Sequence, residues 1–354
     1  MSTTQKVSTA HKAQAWDKGP AGLFAAGSGQ SFWQPAPTGG YVTLTMTPET
    51  FKHDASACGV QTIPPGGRVE AMAHRAAEKI LYILDGRGTL TIEGQVRALV
   101  PGSMVTMGRK VVHQLINDSP EELTLFFWVT PPGYEDYLAC IGQPRIAGAA
   151  APVFPANPAA GMRSPVISGA AELAEIEPGA KGDWMVVAPA EGSSYWQAAP
   201  AGGYIQFKAY PEIFDSNRFI AAIQVLPPGG QIPPHAHSRI EEWLLIRTGH
   251  GRIFVDGTWH PIEPGSLGFV SRWITHSIIN ESDVDMEVFA VATPPGLELL
   301  LRQFSVKANP GDTPPDLSGF AIPDNADELL QGAVLRMPGY AAKHNAEDAT
   351  RPEY

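Results

Sequence analysis

Apolar residues along this chain come in short runs, and turn-forming residues separate them. Phe219–Leu226, Glu242–Arg247, Gly251–Val255, Leu267–Val270, Ile274–Ile279 and Met286–Ala292 are rich in Val, Ile, Leu and Phe. Pro-Pro-Gly-Gly (227–230), Thr-Gly-His-Gly (248–251), Asp-Gly-Thr (256–258) and Glu-Pro-Gly-Ser (263–266) stand between them. Runs this short, punctuated this way, predict β-strands rather than helices. Asp256-Gly257 predicts a hairpin turn, because glycine takes a positive φ without steric cost. An earlier stretch reads the same way: Cys58–Ile63, Ile80–Leu84, Gly88–Ile92, Met104–Met107, Val111–Ile116 and Leu123–Thr130.

The two sets are one pattern written twice. His74 recurs as His237, 163 residues later. The same offset joins Trp33 to Trp196, Gly86 to Gly249, His113 to His276, Asn117 to Asn280, and Pro131-Pro132-Gly133 to Pro294-Pro295-Gly296. One gapless offset over so many landmarks marks a tandem duplication, and each copy is expected to fold alike. Strands at this spacing predict an all-β sandwich or barrel in each copy. The expected boundaries are a first barrel at 16–140, a connector at 141–178, a second barrel at 179–306 and a tail at 307–354. The connector is rich in Ala, Pro and Gly, with a short helix expected near Ala170–Ile176; a further helix is expected in the tail at Ala326–Gly332.

A length of 354 residues suits two domains, each with its own core. The 36 glycines and 33 prolines fall at turn positions. Formal charge is −11 and there is no run of Lys and Arg, so neither nucleic acid nor an anionic membrane is expected as a partner. No apolar stretch reaches the length of a membrane span, and Met1 to Ala15 lacks an apolar signal core. Cys58 and Cys140 correspond to Ala221 and Gln303 in the second copy, so no disulfide framework is expected and the cytoplasm is the expected location.

The chemistry concentrates in the second copy. His235 and His237, at i and i+2, project to one side of a strand. Glu242 enters the next strand, and His276 arrives from a later one. Three imidazoles and a carboxylate converging inside a barrel suit a divalent first-row metal and leave open positions for water, substrate or dioxygen. The first copy has Met72, His74, Lys79 and His113 at these positions, so two of four ligands are gone and a cation stands where the carboxylate was. No metal is expected there, unless Glu78 turns inward; Lys79 is a candidate to hold an anion. Glu241, beside Glu242, is a candidate ligand or catalytic base, against the alternative of solvent exposure. Arg272, which repeats Arg109, is a candidate to bind a substrate carboxylate, against the alternative of a salt bridge on the rim. Gln224 repeats Gln61 and reads equally as a substrate hydrogen-bonder or a core amide. His250 and His260 read as surface residues.

Gly229, five residues, His235-x-His237, four residues, Glu242, six residues, Gly249 resembles the first motif of the cupin superfamily. His276, three residues and Asn280 match the end of its second motif. The departure is the Pro-x-Gly that usually precedes that histidine, where this chain has Ser271 and Trp273. The resemblance covers both copies, so the chain resembles a bicupin. It implies two double-stranded β-helix, or jelly-roll, barrels packed as a pseudo-dimer. It implies one divalent metal per chain held by His235, His237, Glu242 and His276: Fe(II) first, Mn(II) next, then Ni(II) or Zn(II). The superfamily spans dioxygenases, decarboxylases, isomerases, hydrolases and seed storage proteins, so the fold alone does not name a reaction. The expectation is a dioxygenase acting on a small organic or aromatic substrate, with Glu242 as ligand or base and Glu241 and Arg272 as supporting catalytic candidates. Retention of Glu242 leans toward flavonol-type or small-diketone chemistry, since gentisate-type relatives usually lack that ligand. The alternatives are a redox-neutral Mn enzyme (a decarboxylase or a ureidoglycine aminohydrolase-like protein) and a non-enzymatic ligand-binding or storage bicupin. A small-molecule substrate and a homodimer formed through barrel edges are the expected partners.

Overall fold

Apolar residues on both faces of the central strands require cover on both sides, and two copies of one sandwich provide it. The computed structural model describes residues 18–317, except 52, 147, 156–163, 304 and 310–311, together with a strand at 334–336. The first copy gives β1 (Ala21–Phe24), β2 (Gln30–Trp33), β3 (Tyr41–Met46), β4 (Ala57–Ile63), β5 (Arg68–His74), β6 (Glu78–Asp85), β7 (Gly88–Ile92), β8 (Gln95–Leu99), β9 (Met104–Met107), β10 (His113–Ile116), β11 (Leu123–Thr130), β12 (Gln143–Pro144) and β13 (Val166–Ser168). The second gives β14 (Trp184–Val187), β15 (Ser193–Trp196), β16 (Tyr204–Ala209), β17 (Ile220–Leu226), β18 (Gln231–His237), β19 (Glu241–Thr248), β20 (Gly251–Val255), β21 (Thr258–Ile262), β22 (Leu267–Val270), β23 (His276–Asn280), β24 (Met286–Thr293), β25 (Val306–Ala308) and β26 (Val334–Arg336). Helices α1 (Tyr134–Ile141) and α3 (Leu297–Gln303) are counterparts at the 163-residue offset, and α2 (Ala170–Ala174) lies between the copies where a short helix is expected.

Each copy folds as an eight-stranded sheet facing a five-stranded one, a jelly-roll of two sheets rather than one sheet bonded into a closed ring. The large sheets run β12-β2-β3-β4-β11-β6-β9-β14 and β25-β15-β16-β17-β24-β19-β22-β1. The leading strands are exchanged: β1 pairs with β22 of the second copy, and β14 pairs with β9 of the first. The fold also extends past the boundaries 16–140 and 179–306. Strands β12 and β13, from the connector, join sheets of the first copy, and β25 and β26 edge the sheets of the second. Strands of two or three residues carry too little periodicity to be seen in sequence, whereas an open sheet edge recruits them readily. The tail helix expected at Ala326–Gly332 lies outside the described residues. Among the described residues no helix is long and apolar enough to cross a membrane.

Strand alternation divides the core. On β11, Leu125, Phe127 and Val129 face the first interior, while Phe126 and Trp128 face the other copy. The large sheets meet through those outer residues. Tyr82 stacks on Phe289 at 4.2 Å, and Trp128 meets Trp243 and Phe219 edge-on at 5.5 and 5.3 Å. The second interior holds two apolar clusters, one on Leu244, Ile253 and Val288, the other on Phe207, Ile220 and Leu297.

Candidate metal centre

Strand β18 brings two histidines to one side, although Pro233 and Pro234 remove two ladder donors from it. Its register against β23 shifts between Ile232 and His235, so that His235 lies directly opposite His276. Bulges of this kind re-aim side chains beside functional sites. Glu242 projects from β19, where it pairs with Ala292 on one side and Val270 on the other. The candidate ligand atoms of His235, His237, Glu242 and His276 all lie within 4.8 Å of one another.

The hydrogen bonds fix how these rings present themselves. His235 Nδ1 donates to the Pro233 carbonyl at 2.8 Å, and His276 Nδ1 donates to the Ile274 carbonyl at 2.9 Å. Their Nε2 lone pairs then face inward, as metal-ligating imidazoles require. Glu242 Oε2 lies 3.0 Å from His276 Nε2 and 3.2 Å from His237 Nε2. An imidazole lone pair set against a carboxylate oxygen at this distance is stable only with a cation between them. The donor set therefore fits a divalent metal. Burial strengthens the requirement: Glu242 is 5%, His276 2% and His237 1% exposed, too deep for water to compensate the charge. Burial, then the neighbouring His276 and His237, hold the His235 imidazole well below its ordinary pKa. Burial works to raise Glu242, but the adjoining His237 and His276 rings hold it well below the usual carboxylate range. Neutral imidazole and ionised carboxylate are the metal-binding forms.

The turn before His276 keeps its shape without its expected glycine. Trp273, at the position of the missing Gly, adopts φ 62° and donates its backbone N–H to the His237 carbonyl at 2.7 Å. Lys110 does the same in the first copy, with φ 59° and a 2.7 Å bond to the His74 carbonyl. A bulky residue in the left-handed region is strained, and such strain collects at functional sites. The departure from the Pro-x-Gly pattern thus leaves the third ligand in place.

Two catalytic candidates do not join the cluster. Successive residues of a strand point to opposite faces, so Glu241 points away from Glu242. Its carboxylate lies 3.8 Å from His53 Nδ1, across the boundary between copies. Burial raises its pKa, and Arg272 opposes that shift. Arg272 is exposed on the rim, near Glu241 and the start of the described chain, where Gly19 N–H donates to its carbonyl. Gln224 is a core amide, donating to Gln197 Oε1 at 2.6 Å. Glu242 alone of the carboxylate and arginine candidates reaches the centre.

The first copy cannot build the same centre. Met72 and Lys79 occupy ligand positions, and Glu78 turns outward to Ser216 Oγ (2.5 Å) and Arg218 Nε (3.2 Å). Lys79 Nζ sits 3.8 Å over the Tyr134 ring, whose edge meets His74 at 4.9 Å. Burial pulls the Lys79 ammonium down to about 7. His74 keeps both ring nitrogens buried and without a hydrogen-bond partner among the described residues.

Paired jelly-rolls, one holding three histidines and a glutamate at hydrogen-bonding range, define a duplicated β-protein with a group able to hold a metal in one half. The cupin domain family matches residues 59–130 and again 222–292, so the chain is a bicupin. Its fold is similar to that of Ylba from E. coli, at 13% identity over 80% of this chain and 95% of that one, with a TM-score of 0.54. It is equally similar to a putative glyoxylate-induced protein from Pseudomonas aeruginosa (13% identity, 80% and 92% covered, TM-score 0.54). An 11S allergen from Cocos nucifera gives 13% identity, 80% and 96% coverage and a TM-score of 0.54. These likenesses show the fold. No curated protein matches the sequence.

Proposed function

We propose that this bicupin is a metal-dependent dioxygenase acting on a small apolar organic substrate at the single centre of its second domain. The supporting observation is a complete ligand set enclosed by an otherwise apolar interior. Apart from Glu242 and the histidines, the buried charged residues of the second copy among those described are Lys208 and Glu298. Lys208 Nζ donates to the carbonyls of Ala188, Pro189 and Glu191, and Glu298 accepts from the Gly296 N–H. Neither is available to anchor a dianionic substrate or to shuttle protons. That disfavours a redox-neutral decarboxylase or hydrolase, which needs such groups beside its metal.

Iron(II), held by His235, His237, His276 and Glu242, would relay electrons from the substrate, the net reductant, to dioxygen. The Pro233 and Ile274 carbonyls fix two of the rings. Glu242 is the group placed to accept a proton from an acidic O–H of the substrate. With substrate filling the space, the apolar walls would exclude water and strengthen each polar contact inside. Degeneration confined to one copy argues against a storage role, for which neither set of ligands is needed. Metal content per chain, measured by elemental mass spectrometry on protein purified without added metal, should be about one iron, with oxygen uptake on a panel of phenols and diketones. One manganese and no oxygen uptake would move the assignment to redox-neutral chemistry. Two metals per chain would refute the assignment of the first copy.

A further inference from the structure

The two interiors are built on matching strands, so each serves as the reference for the other. Beside the ligand positions, the register row Lys79, Val129, Ala57 of the first copy corresponds to Glu242, Ala292, Ile220 of the second. The next row, Leu81, Phe127, Gly59, corresponds to Leu244, Ala290, Ala222. In the first interior the Phe127 and Tyr134 rings meet edge-on at 5.6 Å. Tyr134 also lies against Lys79 and His74, the counterparts of Glu242 and His237. A phenol ring therefore plugs the first domain beside two former ligand positions. In the second domain Phe127 is replaced by Ala290 and Tyr134 by Leu297.

Solvent reaches the space so vacated. Val69, Met72, Ile92 and Phe127 are buried in the first interior. Their counterparts Ile232, His235, Val255 and Ala290 are all partly exposed. Ala290 projects inward from the middle of a strand paired on both sides, so it can meet solvent only through an opening in the domain. The opposite wall is thickened, with Phe207, Ile220 and Ile240 where Leu44, Ala57 and Ala77 stand. The open volume thus lies on the side of Ala290, Val255 and His235. Its walls are apolar, and its polar end is the metal-ligand cluster.

We propose that this pocket takes a single aromatic ring bearing a hydroxyl group, seated where Phe127 and Tyr134 fill the first domain, with the hydroxyl directed at Glu242. This rests on the dioxygenase reading only for the reaction that follows binding. A flat ring matches the vacated shape, and an O–H donor matches the carboxylate acceptor.

The test restores the plug in the metal-loaded protein. Ala290→Phe and Leu297→Tyr are made singly and together, and phenol and acetylacetone are titrated as probes by calorimetry. The wild type should bind phenol. Each variant should keep its metal and bind phenol at least tenfold more weakly, with the double variant weakest. Where Ala290→Phe fails to fold, Ala290→Leu gives a graded version, with an intermediate loss expected. Unchanged phenol affinity in a folded, metal-loaded variant overturns the pocket assignment. Wild-type binding of acetylacetone but not phenol overturns the ring assignment while leaving the dioxygenase reading intact. Phenol binding that the plug abolishes, without oxygen uptake on any phenol, supports the pocket and removes the dioxygenase reading instead.

Discussion

At the scale of the residue, one strand position separates a ligand from a bystander. His237 is a buried member of the cluster whose carbonyl also receives the Trp273 N–H. His237→Ala removes the ring but keeps that backbone bond, so the protein should stay folded by circular dichroism and lose most of its metal. Full metal retention would refute the ligand assignment. Glu241 and Glu242 were not separable in the sequence: Glu-Trp-Leu-Leu-Ile is apolar on both faces after its acidic start, so no polar face sets the phase. The cluster of His235, His237, Glu242 and His276 was legible because its spacing is itself the motif. Lys79 gives a second prediction. Its ammonium titrates near 7 in the fold against 10.5 unperturbed, so between these values the unfolded chain carries the extra proton. Stability attributable to this residue therefore rises with pH from about 7 to about 10, by roughly 1.4 kcal/mol per unit. Lys79→Met should raise the melting temperature at pH 7 and remove that rise. An unaltered pH profile of thermal unfolding would show that the lysine is not desolvated as described.

At the scale of the element, the exchanged strands tie each site to the opposite copy. Strand β1 closes the β22 edge, and the Ser271 N–H donates to the Pro20 carbonyl at 3.2 Å, in the turn that leads to His276. The segment that steadies the turn before His276 thus comes from the copy that lacks the four-residue cluster. Removing the chain up to Ala25 should lower the metal content of the second domain and its melting temperature together, and equal metal content in the truncated protein would argue against the coupling. The repeat offset and the apolar runs made the central strands of each copy legible, with starts that agree to within two residues. It did not reveal the exchange, because Ala-Gly-Leu-Phe fits the edge of either sheet and only three-dimensional proximity selects one. The replacement of Phe127 by Ala290 falls at the same offset of 163 residues; its consequence depends on inward direction, which only the strand register gives.

At the scale of the molecule, the duplication gives one fold two halves, of which only the second brings the four-residue cluster of His235, His237, Glu242 and His276 together. Two ligands lost from the first copy cost nothing in assembly, because the contact between copies uses the outer faces of the large sheets and the ligands use the inner ones. That contact is a continuous aromatic layer of Tyr82, Trp128, Phe126, Phe219, Trp243 and Phe289. A separated half would expose this layer to water together with the edge left by the missing exchanged strand, and a patch of that size invites association. Residues 1–150 and 151–354, produced as two chains, should each aggregate alone. Produced together they should form a one-to-one complex holding one metal, since each half carries the strand that completes the other. Size-exclusion chromatography with light scattering and metal analysis reads this directly. A soluble, monomeric second half with full metal would mean that the first copy is dispensable to the site. Recovery of metal only in the complex would show why a domain without ligands is retained beside the one that has them.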